Sequence, residues 1–176
     1  GDVVLTLPLA GILKKKFPEA QIVFLGNTYT KPIIQCSEHV DEVWEWAILN
    51  ELSYDKQVSW LKEQEVDTFI HVFPRKEIAR LAKRAGITHR IGTSHRVYHL
   101  LSCNHRPNFT RKNSDLHESQ LNVRLLAPLG ITNDYSLADL TDFLGFNKIP
   151  ELGSDLANRL SSTKKNVILH PKSQGS

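Results

Sequence analysis

The chain has 176 residues, with 22 Lys and Arg against 19 Asp and Glu and a formal net charge of +3. Its 40% hydrophobic and 23% charged content is that of a globular chain and excludes a disordered one. No apolar run approaches the roughly 18 residues of a membrane span, and no signal peptide opens the sequence. Cys36 and Cys103 are too few for a disulfide framework or a multi-cysteine metal site, which points to a reducing compartment. The sequence starts at Gly1, contains no Met and stops at Ser176 directly after a strand-like run, the pattern expected of a piece of a longer protein.

In chain order, Gly1 to Ala10 is apolar on nearly every side until Lys14, Lys15 and Lys16, so it reads as a buried helix ending near Pro18. A strand ahead of it would put Gly1 in a strand-to-helix turn and Asp2 at the helix N-terminus, where backbone N–H groups and the helix dipole favour a negative charge. In a parallel α/β fold that position lies at the carboxyl edge of the sheet, where ligands bind. The simpler alternative is that Asp2 only caps the helix. Pro8 fits a first turn better than a helix middle and places the helix start a few residues later.

Gln21 to Leu25 predicts a buried strand, and the alternation from Asp41 to Ile48 a strand nearer an edge. A helix follows over 55–65, then a strand over Val66 to Phe73. Pro74 opens a helix with Ile78, Leu81, Ala82 and Ala85 inward and Gly86 as its C-terminal stop. Thr88 to Thr93 predicts a short strand, and Leu116 to Leu129 a helix with Leu121, Leu125 and Leu126 inward, stopped by Gly130. A short helix over Asp155 to Leu160 and a buried strand over Asn166 to His170 complete the series. Alternation at βαβ spacing predicts an α/β fold with a parallel sheet covered by helices on both faces. The polar stretch from Ile131 onward breaks the rhythm, and Pro150, Gly153 and the run Ser161 to Lys165 read as a linker. The expected organisation is a domain over 1–150, a linker over 151–165 and the truncated start of a second domain over 166–176.

Charge is distributed unevenly. Between Arg75 and Lys112 stand ten basic residues against Glu77 alone, a local +9 that leaves the rest of the chain at −6. Such asymmetry predicts a surface that meets anions, although Arg75 to Arg84 equally suits a solvated helix face. The later part, from Arg96 to Lys112, has no periodicity and reads as a basic loop. Trp44, Trp46 and Trp60 suit packing better than sugar stacking, and His71 suits a core position better than a cleft.

Absences narrow the chemistry. No glycines stand at G-x-G spacing and there is no G-x-x-x-x-G-K-[ST] phosphate loop, so neither nucleotide fingerprint is present. H-E-x-x-H, C-x-x-C and D-x-D are all missing, so the sequence lends no support to a metal-dependent mechanism.

Four stretches in order carry a resemblance. Gly1 to Ala10 (Gly-Asp-Val-Val-Leu-Thr-Leu-Pro-Leu-Ala) followed by Phe17-Pro18, Ile78 to Gly92 ending Arg-Ile-Gly, Leu116 to Leu126 with His117 leading a helix, and Val167 to Ser173 together resemble the bacterial heptosyltransferases of glycosyltransferase family 9. The resemblance implies the N-terminal half of a GT-B transferase, with a Rossmann-like acceptor-binding domain and a cleft against a donor-binding domain. It implies transfer of heptose from ADP-heptose to a lipopolysaccharide inner-core acceptor, with inversion and without metal or other cofactor. The family's catalytic base falls on Asp2. A carboxylate is what the step needs, taking the proton of the acceptor hydroxyl as its oxygen attacks the sugar carbon.

The resemblance further implies that Lys172, Ser173 and Gln174 touch the donor phosphates, in a donor site that the family completes beyond Ser176. His95, Arg96, Arg106, Arg111, Lys112 and His117 are the candidates for the anionic acceptor, because Arg pairs bidentately with carboxylate and phosphate. The same basic surface would suit a cytoplasmic protein held peripherally at the inner membrane face. The alternatives are another GT-B transferase with a different nucleotide sugar, or a non-catalytic anion- or RNA-binding α/β module. Base stacking has little to work with, since Tyr98 and Phe109 are the aromatics of the basic stretch.

Overall fold

The computed structural model describes residues 2–112 and 114–169. The opening apolar run forms two short helices, α1 (Asp2–Thr6) and α2 (Pro8–Lys16), instead of one. Pro8 has no N–H to offer the Val4 carbonyl and takes the first position of α2, where no donor is required. The Leu7 N–H is shared between the carbonyls of Val3 and Val4, at 3.2 and 3.3 Å, and the Leu7 side chain is fully buried. The start expected later than Asp2 is therefore the start of α2, while Asp2 heads a turn of its own. Burial also differs from expectation, because Pro8 to Ile12 are buried whereas α1 carries no buried residue.

Strand β1 (Val23–Gly26) leads through a 3₁₀ turn and α3 (Lys31–Gln35) to β2 (Glu42–Glu45), which runs directly into α4 (Trp46–Asn50). Helix α5 (Tyr54–Glu63), strand β3 (Thr68–Ile70), helix α6 (Lys76–Arg84) and strand β4 (His89–Ile91) follow, then α7 (Val97–Ser102). The chain continues through α8 (Glu118–Val123), a 3₁₀ stretch (Arg124–Leu129), α9 (Leu137–Asp142) and α10 (Ser154–Ala157). The β1–β2 pair is parallel from Val23 opposite Glu42 to Gly26 opposite Glu45, and β3–β4 is parallel from Thr68 opposite His89 to Ile70 opposite Ile91. Among the described residues these are two separate two-stranded sheets and not one continuous sheet.

Packing joins the two pairs. Leu7 and Ala10 pack with Phe24 and Val43, while Leu9 and Ile12 of the same helix pack with Ile70 and Val72. A third cluster sets Val58 and Leu61 of α5 against Leu81 and Ala82 of α6, with Trp44, Trp60 and Phe69 around them. Trp44 and Trp60 meet edge to face at 4.7 Å, so these indoles are packing groups. Each aliphatic side chain fully buried here contributes about 1.5–3 kcal/mol.

Helix ends follow their local chemistry. Gly86 takes a φ of 82°, its N–H donates to Lys83 and that of Ile87 to Ala82, the paired bonds of a Schellman stop. The helix expected over 116–129 changes character at Arg124, because Pro128 has no N–H for the Arg124 carbonyl and the chain tightens to 3₁₀. Gly130, left-handed at φ 75°, ends it.

The tail departs from expectation. Helix α10 has no buried residue, and 166–169 form no strand, with Val167, Ile168 and Leu169 79%, 85% and 84% exposed. A strand takes its hydrogen bonds from a neighbour, and among the described residues none lies beside this segment. The remainder of that expected strand, His170, lies outside the described residues.

Candidate active site at the head of the first helix

Asp2 is the first residue of α1, with an exposed side chain, and its backbone carbonyl accepts from Thr6 Oγ1 at 2.8 Å. Helix α1 packs against α8, and a buried amide ties the two. Asn122, 2% exposed, donates from Nδ2 to the Leu5 carbonyl at 3.1 Å. Carbonyls in the last turn of a helix lack partners within it, so this bond supplies one. The Asn122 Oδ1 in turn accepts from Arg111 Nη2 at 2.9 Å.

Arg111 enters from the basic loop, half-buried, forms an ion pair with Glu118 and lies over the Phe109 ring at 5.8 Å. Burial pushes its guanidinium below the ordinary value, and the Asp2 carboxylate pulls it back up. A charge-assisted bond and an ion pair thus hold the cation where it feels the helix-heading carboxylate.

His117 is the N-cap of α8 and part of a capping box. Its Nδ1 accepts from the Ser119 N–H at 3.4 Å and lies 2.8 Å from Ser119 Oγ, while its own N–H donates to Gln120 Oε1 at 3.0 Å. Accepting at Nδ1 assigns the ring proton to Nε2, on an exposed residue. Arg111 thus reaches α1 through Asn122 and pairs with Glu118, the residue that follows His117 in the chain.

The other basic candidates sit on and around α7. His95 and Arg96 are exposed in the turn before it, and Arg96 is its N-cap residue without a side-chain cap bond. Arg106 Nη1 donates to the carbonyls of Leu100 and Cys103 at 3.2 and 2.9 Å. Lys83 Nζ reaches the Leu101 carbonyl and Arg90 Nε the Ser102 carbonyl, each at 2.7 Å. Three cations therefore satisfy the C-terminal carbonyls of one six-residue helix, a use that complements its dipole. Part of the local +9 is structural, and Arg106 belongs to that part. Lys112 is exposed, and Lys172, Ser173 and Gln174 lie outside the described residues.

Glu118 and Asn122 gave little signal in the sequence, whereas His71 is buried as its sequence position suggests. Glu118 and Asn122 hold Arg111, and nothing in their spacing from Arg111 announces it. His71 and His99, 3% and 0% exposed, stack at 5.3 Å at the carboxyl end of the β3–β4 pair. His99 Nδ1 lies 3.0 Å from the Thr93 carbonyl, while the Nε2 atoms of both rings have no partner among the described residues. His71 is therefore a core histidine without satisfied chemistry at Nε2, and burial, with His99 and Arg90 adding to it, lowers its pKa to about 3.

A solved structure, the glycosyl transferase family 9 protein from Veillonella parvula DSM 2008, shares this fold with a TM-score of 0.56 and 18% identity. The chain is similar in fold to a family 9 glycosyltransferase. The match covers 77% of this chain, which spans 40% of that structure. The mixed α/β architecture with parallel strands is consistent with one part of a GT-B-type fold. No protein-family model matches the sequence, and neither does any curated protein. Among the described residues no helix is long and apolar enough to cross a membrane, and no three His, Cys, Asp or Glu side chains are grouped to hold a metal ion.

Proposed function

We propose that this chain is the acceptor-binding part of an inverting, metal-independent glycosyltransferase, with Asp2 as its general base. The observation that carries the reading is the position of Asp2 at the head of α1, with Arg111 anchored to that helix through Asn122. The fold likeness to a family 9 transferase supports it.

In the proposed reaction the acceptor hydroxyl gives its proton to the Asp2 carboxylate as its oxygen attacks the anomeric carbon of the donor sugar. The new C–O bond forms on the face opposite the leaving group, and the old bond breaks with its electron pair going to the nucleoside diphosphate. Backbone N–H groups and cations stabilise that diphosphate, a task assigned to Lys172, Ser173 and Gln174. Arg111 is the cation proposed to pair with a carboxylate or phosphate of the acceptor, and His117 is proposed to contribute its Nε2–H. ADP-heptose as donor and a lipopolysaccharide inner core as acceptor are the specific substrates proposed.

The test is a transfer assay of the full-length protein against a panel of nucleotide sugars, with and without EDTA. ADP-heptose-dependent transfer that survives chelation is the expected result. Preference for a different nucleotide sugar would replace the heptose assignment, and loss of activity restored by a divalent ion would overturn the metal-free one.

A further inference from the structure

Strand β4 opens on His89, and the chain returns alongside it at His105. Ile91 and His105 form a parallel bridge, and the Gly92 N–H donates to the His105 carbonyl at 3.0 Å. The Arg90 carbonyl accepts from the N–H groups of Asn104 and His105, each at 3.1 Å. This pairing brings two imidazoles together across the strands, with His89 Nδ1 3.1 Å from His105 Nε2 and the ring centroids 5.3 Å apart. His89 is exposed and His105 half-buried, and neither belongs to the candidate active site.

The backbone under the pair is clamped. Asn104 Oδ1 accepts from the Arg90 N–H at 2.8 Å, while its Nδ2 donates to the Thr88 carbonyl, also at 2.8 Å. Arg90 Nε reaches the Ser102 carbonyl and its Nη1 the Ile87 carbonyl. The guanidinium next in sequence to His89 is thus spent on carbonyls, and the two histidine backbones are held in register. Ligands fixed before an ion arrives lose little freedom when it binds.

We propose that His89 and His105 form a two-imidazole site for a divalent transition cation of the zinc, nickel and copper class. With metal–nitrogen bonds of about 2.0–2.1 Å, nitrogens 3.1 Å apart subtend about 100° at an ion, between the octahedral and tetrahedral angles. Each ring aims at that ion by swinging about 40° off the line between the two nitrogens, a motion open to side chains at the surface. The facing nitrogens bind unprotonated and each ring keeps its proton on the other one, so coordination needs a tautomer shift and no redox step. Among the described residues no third His, Cys, Asp or Glu joins the pair, so water completes the coordination. Magnesium and calcium, which take oxygen ligands, find none from a carboxylate here. His89 is the first residue of β4, at the end away from the carboxyl edge, so the ion takes no part in transfer. Bound metal instead pins the segment that follows α7 to β4. Metal binding is measured without turnover, so this inference and the transferase reading fail independently.

Isothermal titration of the tag-free, full-length protein with zinc, nickel and magnesium chlorides, after EDTA treatment and dialysis, tests it. Zinc and nickel are expected to bind and to raise the thermal midpoint, and magnesium to do neither. His89→Gln and His105→Gln are each expected to weaken zinc and nickel by more than about tenfold and to remove the thermal shift. Melts without metal monitor the fold, and His89→Gln, on an exposed side chain, decides alone if His105→Gln does not melt cooperatively. Undiminished binding by folded variants would overturn the proposal, because the ion would then sit elsewhere. A magnesium response equal to that of zinc would overturn the imidazole assignment. No zinc or nickel binding by the wild type would overturn the site itself, leaving the pair as an N–H···N hydrogen bond.

Discussion

Asn122 closes a hydrogen bond at 3.1 Å onto the carbonyl of Leu5, 117 residues earlier in the chain. The same side chain receives Arg111, so one buried amide couples the first helix, α8 and the basic loop. Both functions of the amide are used, which is the condition under which a buried polar group stabilises a core and does not weaken it.

Asn122→Ala should therefore cost about 1–3 kcal/mol, because it strands the Leu5 carbonyl and an Arg111 donor together. Chemical denaturation reads the loss directly. An unchanged midpoint would mean that water replaces the amide without penalty.

On the proposed reading, Asp2→Asn in the full-length protein should lower transfer by about 10²–10⁴-fold, the usual contribution of a positioned base. Binding of the nucleotide sugar should persist, because the change removes a proton acceptor and not a donor contact. Turnover near that of the wild type would remove Asp2 from the chemistry.

Arg111 and Arg106 should separate. Arg111→Ala should weaken acceptor binding more than donor binding, as the loss of the cation tied to the first helix through Asn122. Arg106→Ala strips two carbonyl contacts from the end of α7 and should cost about 1 kcal/mol of stability, with a smaller effect on acceptor affinity. Isothermal titration of both variants, paired with thermal melts, distinguishes the roles; equal loss of acceptor affinity would place both residues in the same site.

Acid should destabilise the protein through His71. Its pKa is about 3 in the folded chain against 6.5 for the free side chain, so the unfolded chain binds more protons between those values. Stability is complete above about pH 6.5 and falls as pH drops toward 3, by an amount on the order of a few kcal/mol at the bottom of the window. His99, whose pKa burial also lowers, adds in the same direction. The carboxylates of Asp41 and Asp139 are shifted downward from 3.8 and add their losses only at the acid end of this window. Denaturation midpoints for His71→Phe between pH 7 and 4 should show a flatter dependence than the wild type. An identical slope would assign the acid sensitivity elsewhere.

Much of this architecture was legible residue by residue. Strands β1 to β4 and helices α5 and α6 lie within the segments where alternation and apolar spacing place them, and Gly86 and Gly130 end their helices as read, but Trp46 to Ile48, expected to continue the second strand, open α4, and α7 forms within the stretch read as a loop. Pro8 announced a helix start, and the structure resolves the two demands on that segment by breaking it at Leu7. The tail failed because 166–169 have strand-like composition but no partner among the described residues. The basic stretch misled in another way: charge is visible in a sequence, but its use is not. Arg106, Lys83 and Arg90 carry the same charge as Arg111 and spend it on the carbonyls of α7.

What the sequence by itself determined is local: which segments are helix or strand, where they stop, and that a carboxylate heads the first helix. Those properties act over a turn or two of backbone, through periodicity, proline and glycine geometry, and the orphan N–H groups of a helix end. Tertiary structure alone decided that Asn122 would bind Leu5, that Arg111 would feel Asp2, and that α7 would face its leucines outward. The Asn122–Leu5 bond joins residues 117 apart, while the outward face of α7 follows from His99 turning inward onto the Thr93 carbonyl, so a buried hydrogen bond can override the hydrophobic preference that a sequence displays.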